Sequence, residues 1–464
     1  MLDLLEVAHR AWTGPRMEEK EWQMGLFRNV QELVKRYNLK APDPNDRSQI
    51  ICRDNAMIDA VWQAGIDFLV EKGIYCFDTR RVIEFTEEEV KETIRGIPKT
   101  FIIGEGKDAV AVKNMHIDGG EGVAIACGGF HSPYREDLAQ LAPKAFMMIP
   151  GVDYMQGFTL KVIDGREVHG TAMACYAARR QVEWMRQGAG KAGRPGMAIC
   201  YYPMSLEAAP MIAPLDPRNG LRPCDGSFLT PLPNLMVEAG LITAAVVYNE
   251  YGLSFIINGN GHGEQDSFAG SREGYMVTGV AKTIAGWMVY RDNITNISPN
   301  ITQQALDRHC NMVRVHGVRT PDDIPRTYEI GTERYLLHYA NYAISCAIFG
   351  SGMEPSGGGH LEGQSPYEIE FMCECAEAAR GLKLDDGLEL MRNIRKMADE
   401  ECPAPPVSPD RTGMGHRVVF SGWDGSLPTM RDVYDLVKME PSESYKMEMV
   451  KARRLVKAAG LNID

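Results

Sequence analysis

The chain has 464 residues, of which 44% are hydrophobic and 24% are charged, so it can bury a large core as one big barrel or as two to three smaller domains. Fifty basic and 62 acidic side chains give a net charge of −12 without a long basic cluster, which argues against nucleic acid as a partner. The first thirty residues lack the apolar core of a signal peptide and no apolar run is long enough for a membrane span, so we expect a cytoplasmic protein with no membrane partner.

The first 120 residues read as helices followed by a small hairpin. Ile58–Lys72 has apolar residues at helical spacing, and Thr86–Glu89 is a capping box that begins a helix toward Ile94. Thr100–Lys113 splits into two alternating runs around a Gly-rich turn, which is typical of a hairpin. We therefore expect residues 1–120 to form N-terminal helices and a β-hairpin packed on the next segment.

After Gly120 the pattern changes to short apolar strands that alternate with amphipathic segments. The predicted strands are Val123–Cys127, Val152–Gly157, Gly196–Tyr202, Leu221–Ser227, Ser254–Asn258, Ile294–Ser298 and Cys346–Gly350. The predicted helices are Asp137–Met148, Thr171–Arg186, Leu232–Tyr248, Arg272–Met288 and Thr332–Ala343. This alternation predicts an α/β protein with a (β/α)8 TIM barrel over residues 121–400. The absence of a GxGxxG fingerprint after the first strand disfavours a doubly wound sheet.

The end of the chain is harder to interpret. Val418–Ser421 is the candidate for the eighth strand, and the Pro-rich stretch Cys402–His416 reads as a loop. A last helix is predicted over Ser444–Ala459, because Ser442 can cap its start and Gly460 can end it. We expect residues 401–464 to be a C-terminal extension of the same domain.

In a barrel of this kind the chemistry lies at the C-terminal ends of the strands. Strand alternation places Cys200 and Tyr202 on the face that looks into the barrel, while Tyr201 looks away. The simpler interpretation is that Cys200 is an inert buried thiol, because free cysteine is among the most buried residue types. The eleven cysteines form no CxxC pair and no regular framework, which indicates reduced thiols.

Two Gly-rich loops after predicted strands each carry a His-x-Glu element. They are His262 with Glu264, and His360 with Glu362. Together with a thiol they offer the mixed N/O/S ligands of a zinc site, but His-x-Glu also recurs by chance and the glycines can serve positive φ angles alone. A third loop ends in Glu273 at a predicted helix start, where a carboxylate is favourable with or without a function.

Several segments of the chain resemble the corrinoid-dependent monomethylamine methyltransferase family. The resemblance is carried by Ala192-Gly-Arg-Pro-Gly-Met197 with Ser205-Leu206, Ala64-Gly65, Gly73-Ile-Tyr-Cys76 with Asp78-Thr79, Thr86-Glu87, Gly106-Lys-Asp-Ala-Val110, Ala269-Gly270 with Glu273, and Val433-Tyr434-Asp435 through Ala459-Gly-Leu461. It covers nearly the whole chain, with an insertion around Ile301–Asp323.

The resemblance implies a TIM barrel that forms homo-oligomers and transfers a methyl group from a methylamine to the Co(I) corrinoid (cobalamin) of a small partner protein, in one-carbon metabolism of the methanogenic type. Counting from Arg194–Met197, the family's pyrrolysine position falls on Cys200. Asn260 and Leu229 stand where the family has glutamates, and Gly352 stands where it has a glutamine.

A thiol cannot form the amine adduct that pyrrolysine's imine forms, so we expect a methylated amine other than monomethylamine, such as a quaternary ammonium, as the donor. The candidate catalytic residues are Cys200 and Glu273; the candidate substrate-binding residues are Tyr202, Asn260, Glu264, Asp266 and Gly352; the candidate metal ligands are His262, Glu264, His360 and Glu362. Two alternatives remain at this stage. Zinc could assist demethylation of an O- or S-methyl donor, or the barrel could bind methylated ligands or a corrinoid protein without catalysis.

Overall fold

The computed structural model describes residues 2–41, 43, 51–113, 116–117, 125–128, 133–203, 205, 207–229, 233–258, 269–295, 301–310, 324, 329–355, 362–403 and 428–463. The helices are α1 Leu4–Thr13, α2 Glu19–Arg36, α3 Asn55–Lys72, α4 Glu87–Arg95, α5 Glu136–Met147, α6 Gly170–Lys191, α7 Ala208–Ile212, α8 Ala239–Tyr251, α9 Arg272–Tyr290, α10 Ile301–His309, α11 Glu333–Phe349, α12 Pro366–Ala378, α13 Leu384–Glu401, α14 Met430–Val433 and α15 Glu443–Ala459. None of these helices combines the length and apolar character that a membrane span requires.

The strands are β1 Ile74–Cys76, β2 Arg81–Ile83, β3 Thr100–Ile103, β4 Val110–Lys113, β5 Ala126–Cys127, β6 Pro133–Tyr134, β7 Tyr154–Gln156, β8 Thr159–Leu160, β9 Val162–Ile163, β10 Arg166–Glu167, β11 Ala198–Tyr201, β12 Gly226–Phe228, β13 Met236–Val237, β14 Phe255–Asn258, β15 Ile294–Thr295, β16 Tyr434–Asp435 and β17 Glu440–Pro441.

Six parallel strands form the central sheet, in the order β15-β14-β12-β11-β7-β5. Beyond β5, Met353 pairs in parallel with Ile125, and the Ala126 amide donates to the Met353 carbonyl at 2.9 Å. Met353 therefore extends the sheet beyond β5, on the side opposite β15. The curled parallel sheet with helices outside it is the predicted TIM-barrel fold.

The first six predicted strands of the barrel are confirmed, with shifted ends, but the seventh was wrong. Cys346–Gly350 is the end of helix α11, which Gly350 terminates in the left-handed conformation with φ of 61°. Nearly every side chain of α11 is buried, so its last turn is a continuous apolar run that periodicity cannot distinguish from a buried strand. Helix α8 begins at Ala239 rather than Leu232, and Val418–Ser421 lies outside the described residues.

Strand alternation divides the side chains of the barrel into an outer and an inner set. Met155, Ile199 and Tyr201 pack outward in the cluster shared with helices α5 and α6. An inner cluster contains inward-facing residues of all six strands of the central sheet together with two residues of the hairpin β3–β4; its members are Ile103, Val112, Ala126, Tyr154, Ala198, Cys200, Phe228, Phe255, Ile257 and Ile294.

The hairpin β3–β4 lies across the N-terminal end of the barrel. The backbone amides of Gly104 and Glu105 donate to the carbonyls of Cys224 and Gly196, which lie two residues before the starts of β12 and β11. The Asp108 carboxylate accepts from the Gly196 amide at 3.0 Å. The hairpin is thereby fixed to the strand starts, and the C-terminal end is the one where barrels of this kind carry their sites.

The barrel interior depends on the absence of a side chain at Gly226. A Cβ atom added there would lie 2.5 Å from the buried ring of Phe255. We predict that Gly226→Ala lowers the free energy of unfolding by about 1–3 kcal/mol because the ring has no room to move. Gly190→Ala is the matched control, since nothing lies within 4 Å of a Cβ at that exposed position of α6. Denaturant midpoints compare the two, and equal midpoints would contradict the packing described.

Candidate functional site

The C-terminal half of the barrel interior brings together side chains from neighbouring strands. Cys200 on β11 is in register with Gln156 on β7 and with Gly226 on β12. Tyr202 and Phe228 lie two residues further along their strands, at the next level toward the C-terminal end. We call the side chains of Gln156, Cys200, Tyr202 and Phe228, together with that of Glu354, the interior site. Glu354 follows Met353 directly in the chain.

Glu354 is a buried carboxylate held by two other elements of the barrel. The side-chain amide of Gln156 donates to Glu354 Oε1 at 2.5 Å, and the Glu354 backbone amide donates to Tyr342 Oη at 2.8 Å. Glu354 is 5% exposed and Gln156 is fully buried. Strand β7 and helix α11 thus fix the position of this acid at the edge of the sheet beyond β5.

Burial and the Glu354 carboxylate together raise the pKa values of two groups in the interior site. Burial raises the pKa of the Cys200 thiol well above its ordinary value, and the negative charge of Glu354 raises it further. The same two causes raise the pKa of Tyr202. Cys200 is therefore a neutral thiol at physiological pH, which is unfavourable for a nucleophile because the thiolate is the reactive form.

Aromatic rings line the same interior. Tyr202 meets Phe228 edge-on with ring centroids 5.4 Å apart, and Tyr154 meets Phe255 edge-on at 5.6 Å. Burial raises the pKa of Tyr154 well above its ordinary value, and the Glu354 carboxylate raises it further. Aromatic rings attract organic cations through their electron-rich faces.

The structure brings only some of the sequence-predicted residues together. Cys200 and Tyr202 face inward, whereas Tyr201 faces outward and donates from its hydroxyl to the Pro210 carbonyl at 3.1 Å. Gly352 is buried two residues before Glu354. Asn260, His262, Glu264, Asp266 and His360 lie outside the described residues.

Glu273, which we expected to be catalytic, has a structural partner, and a catalytic role for it stays a prediction. It lies in the first turn of α9, and its carboxylate accepts from the Ala41 amide at 2.9 Å. It therefore joins the N-terminal segment to the start of α9, which is the structural use of a carboxylate at a helix start.

Glu362 is fully buried but engaged in an ion pair, which does not support its assignment as a metal ligand. The guanidinium of Arg135 donates to both carboxylate oxygens at 3.0 and 2.6 Å, and Arg431 approaches at 3.6 Å. The cations occupy the lone pairs that a metal would need. Within the part of the chain that the structure describes, no group of three His, Cys, Asp or Glu side chains is arranged to hold a metal ion.

Sequence reasoning missed Glu354 and Gln156. Gln156 lies in a correctly predicted strand, and alternation from Tyr154 would have placed it inside. Glu354 gave no such signal, because it follows directly after helix α11 and its Gly350 cap, and the bridge of Met353 to Ile125 is the pairing described for its segment.

Comparisons with known proteins agree on one family. The family model for "Monomethylamine methyltransferase MtmB" matches residues 2–299. Similar proteins include the monomethylamine methyltransferases MtmB2 and MtmB1 of Methanosarcina acetivorans, at 23% and 27% identity, and MtmB of Methanosarcina mazei at 26% identity; each alignment covers 99% of this chain and 98% of the relative. The crystal structure of Methanosarcina barkeri MtmB matches with a TM-score of 0.80 and 20% identity over 99% of both chains.

Burial of Cys200 predicts that its thiol resists alkylation in the native protein. With iodoacetamide at pH 8, we expect the partly exposed Cys52 to react while Cys200 stays unmodified until the chain is unfolded, because only an accessible thiolate reacts. Mass spectrometry of digested samples measures both sites. Modification of Cys200 at the rate of Cys52 in the native protein would contradict the placement of this thiol.

Proposed function

The chain belongs to the monomethylamine methyltransferase MtmB family, and on that premise we propose that it transfers a methyl group from a quaternary methylated amine to the Co(I) corrinoid of a small partner protein. Methyl transfer from a methylamine is the activity of the family. The choice of a quaternary donor is specific to this chain and is argued from its interior site.

Cys200 carries the argument for a different donor. Counting from Arg194–Met197, we infer that this thiol takes the position of the family's pyrrolysine. A thiol cannot add an amine as the imine of pyrrolysine does, and burial keeps this one neutral. The donor therefore has to react without a covalent adduct to the protein.

A quaternary ammonium meets that requirement. When the C–N bond breaks, its electron pair stays on nitrogen and a neutral tertiary amine leaves, so no proton has to be supplied. The Co(I) corrinoid provides the electron pair for the new bond to the methyl carbon. The protein then has to orient one methyl group toward the C-terminal end of the barrel and exclude water.

Tyr202 and Phe228 can perform that orientation. Their rings lie at the C-terminal level of the interior, 5.4 Å apart, where they can contact N-methyl groups. A cation–π contact of this kind contributes about 0.5–2 kcal/mol to binding. Both rings are on adjacent strands of the barrel, which makes their positions rigid.

We predict that the purified protein, with its reduced cognate corrinoid protein, methylates cobalt from tetramethylammonium much faster than from monomethylamine. The absorbance change of the corrinoid measures both rates. Cys200→Ser should change the rate only a few-fold, since the thiol takes no part in bond making. Tyr202→Ala should raise KM for the donor, whereas Tyr201→Phe, on the outward face, is the matched control and should not.

Faster reaction with monomethylamine would overturn the proposed donor. Loss of all transfer in Cys200→Ser with the fold intact would show that the thiol reacts. Failure to methylate cobalt from any N-methyl donor would overturn the proposed activity as a whole.

A further inference from the structure

Gln181 is a fully buried glutamine on α6, the helix that connects β7 to β11. A buried polar side chain of this kind normally has hydrogen-bond partners. Its Nε2 amide group donates to the carbonyl oxygens of Phe158 and Tyr202, the second at 3.3 Å. The two hydrogen atoms of one amide group therefore serve the two chain segments that follow the C-terminal ends of β7 and β11.

The glycine at position 157 makes this close approach possible. The Gly157 amide donates to the Cys200 carbonyl at 2.8 Å, which continues the pairing of β7 with β11 by one residue. A Cβ atom at Gly157 would lie 2.7 Å from Gln181 Oε1 and 2.8 Å from the Tyr202 nitrogen. The amide group of Gln181 is thus packed against the main chain at the ends of both strands, in a space that a larger residue would fill.

One of the two carbonyls that Gln181 binds belongs to a residue whose ring lines the interior site. Tyr202 lies one residue beyond the end of β11, and its ring meets that of Phe228 at a centroid distance of 5.4 Å. A hydrogen bond at the Tyr202 carbonyl restricts the rotation of its peptide group, and the main chain at Tyr202 sets the direction of the ring. Displacement of a binding group by about one ångström is enough to impair a site.

We propose that Gln181 is a positioning residue for Tyr202. It holds the main chain at the C-terminal end of β11, so that the Tyr202 ring is presented to the methyl groups of the donor. This inference rests on the proposed function, in which Tyr202 contacts the donor. It adds a residue of an outer helix to donor binding, and this residue acts through Tyr202 rather than by contact with the donor.

The first measurement needs no donor. In protein labelled with fluorotyrosine, the fluorine resonance of Tyr202 is identified by its loss in Tyr202→Phe. Gln181→Met keeps the length of the side chain and removes the amide group, so the Tyr202 resonance should shift or divide. Gln181→Glu replaces two donor hydrogens with at most one and provides the same comparison if Gln181→Met does not fold.

Gln304→Met is the matched control for this measurement. Gln304 is also buried, and its amide group also donates to a backbone carbonyl, that of Cys52, at 2.7 Å. It joins α10 to the segment before α3 rather than the ends of two barrel strands. The same substitution at this position should leave the Tyr202 resonance unchanged.

The second measurement is the affinity for tetramethylammonium by isothermal titration calorimetry, without the corrinoid protein. Gln181→Met should weaken binding about threefold or more, which is part of what a cation–π contact contributes, while Gln304→Met should stay at the wild-type value. In the Tyr202→Ala background, Gln181→Met should have no further effect, because the ring that it positions is gone.

An unchanged Tyr202 resonance in a folded Gln181 variant would overturn the inference. An equal loss of affinity in Gln304→Met, or a loss that persists in the Tyr202→Ala background, would also overturn it, since either result indicates a general structural effect. A wild type that does not bind tetramethylammonium, while its Tyr202 resonance still depends on Gln181, would overturn the proposed donor and leave the positioning role supported.

Discussion

Hairpin β3–β4 covers the N-terminal end of the parallel barrel, and the side chains inside are almost completely removed from water. Ile103 and Val112 of the hairpin belong to the same apolar cluster as the inner residues of the strands. In such surroundings a single charge has effects that it would not have at the surface. The neutral state of Cys200 and the influence of Glu354 both follow from this exclusion of water.

The barrel could be predicted from sequence because its signals are local. Short apolar strands, Gly- and Pro-rich turns and amphipathic helices follow one another in a repeated order. The alternation of side chains along a strand correctly predicted that Cys200 and Tyr202 face the barrel interior. The roles of Glu273 and Glu362 could not be predicted in the same way. Their partners, the Ala41 backbone amide and Arg135, are 232 and 227 residues away in the chain, so the sequence does not show which groups these carboxylates bind.

Glu354 shows a second limit of sequence reasoning. The segment that contains it follows the buried helix α11 after one left-handed glycine, and its only described pairing is the bridge between Met353 and Ile125. The apolar last turn of α11 favoured a strand over Cys346–Gly350 instead. Glu354 therefore lies just beyond the segment in which the sequence predicted the strand.

The central claim is that the barrel interior binds a methylated cation against the rings of Tyr202 and Phe228. A crystal structure of the protein with tetramethylammonium tests it most directly. The account predicts the nitrogen within about 6 Å of the Tyr202 ring centroid. A cation bound outside the barrel, or one in the interior that contacts neither Tyr202 nor Phe228, would contradict it.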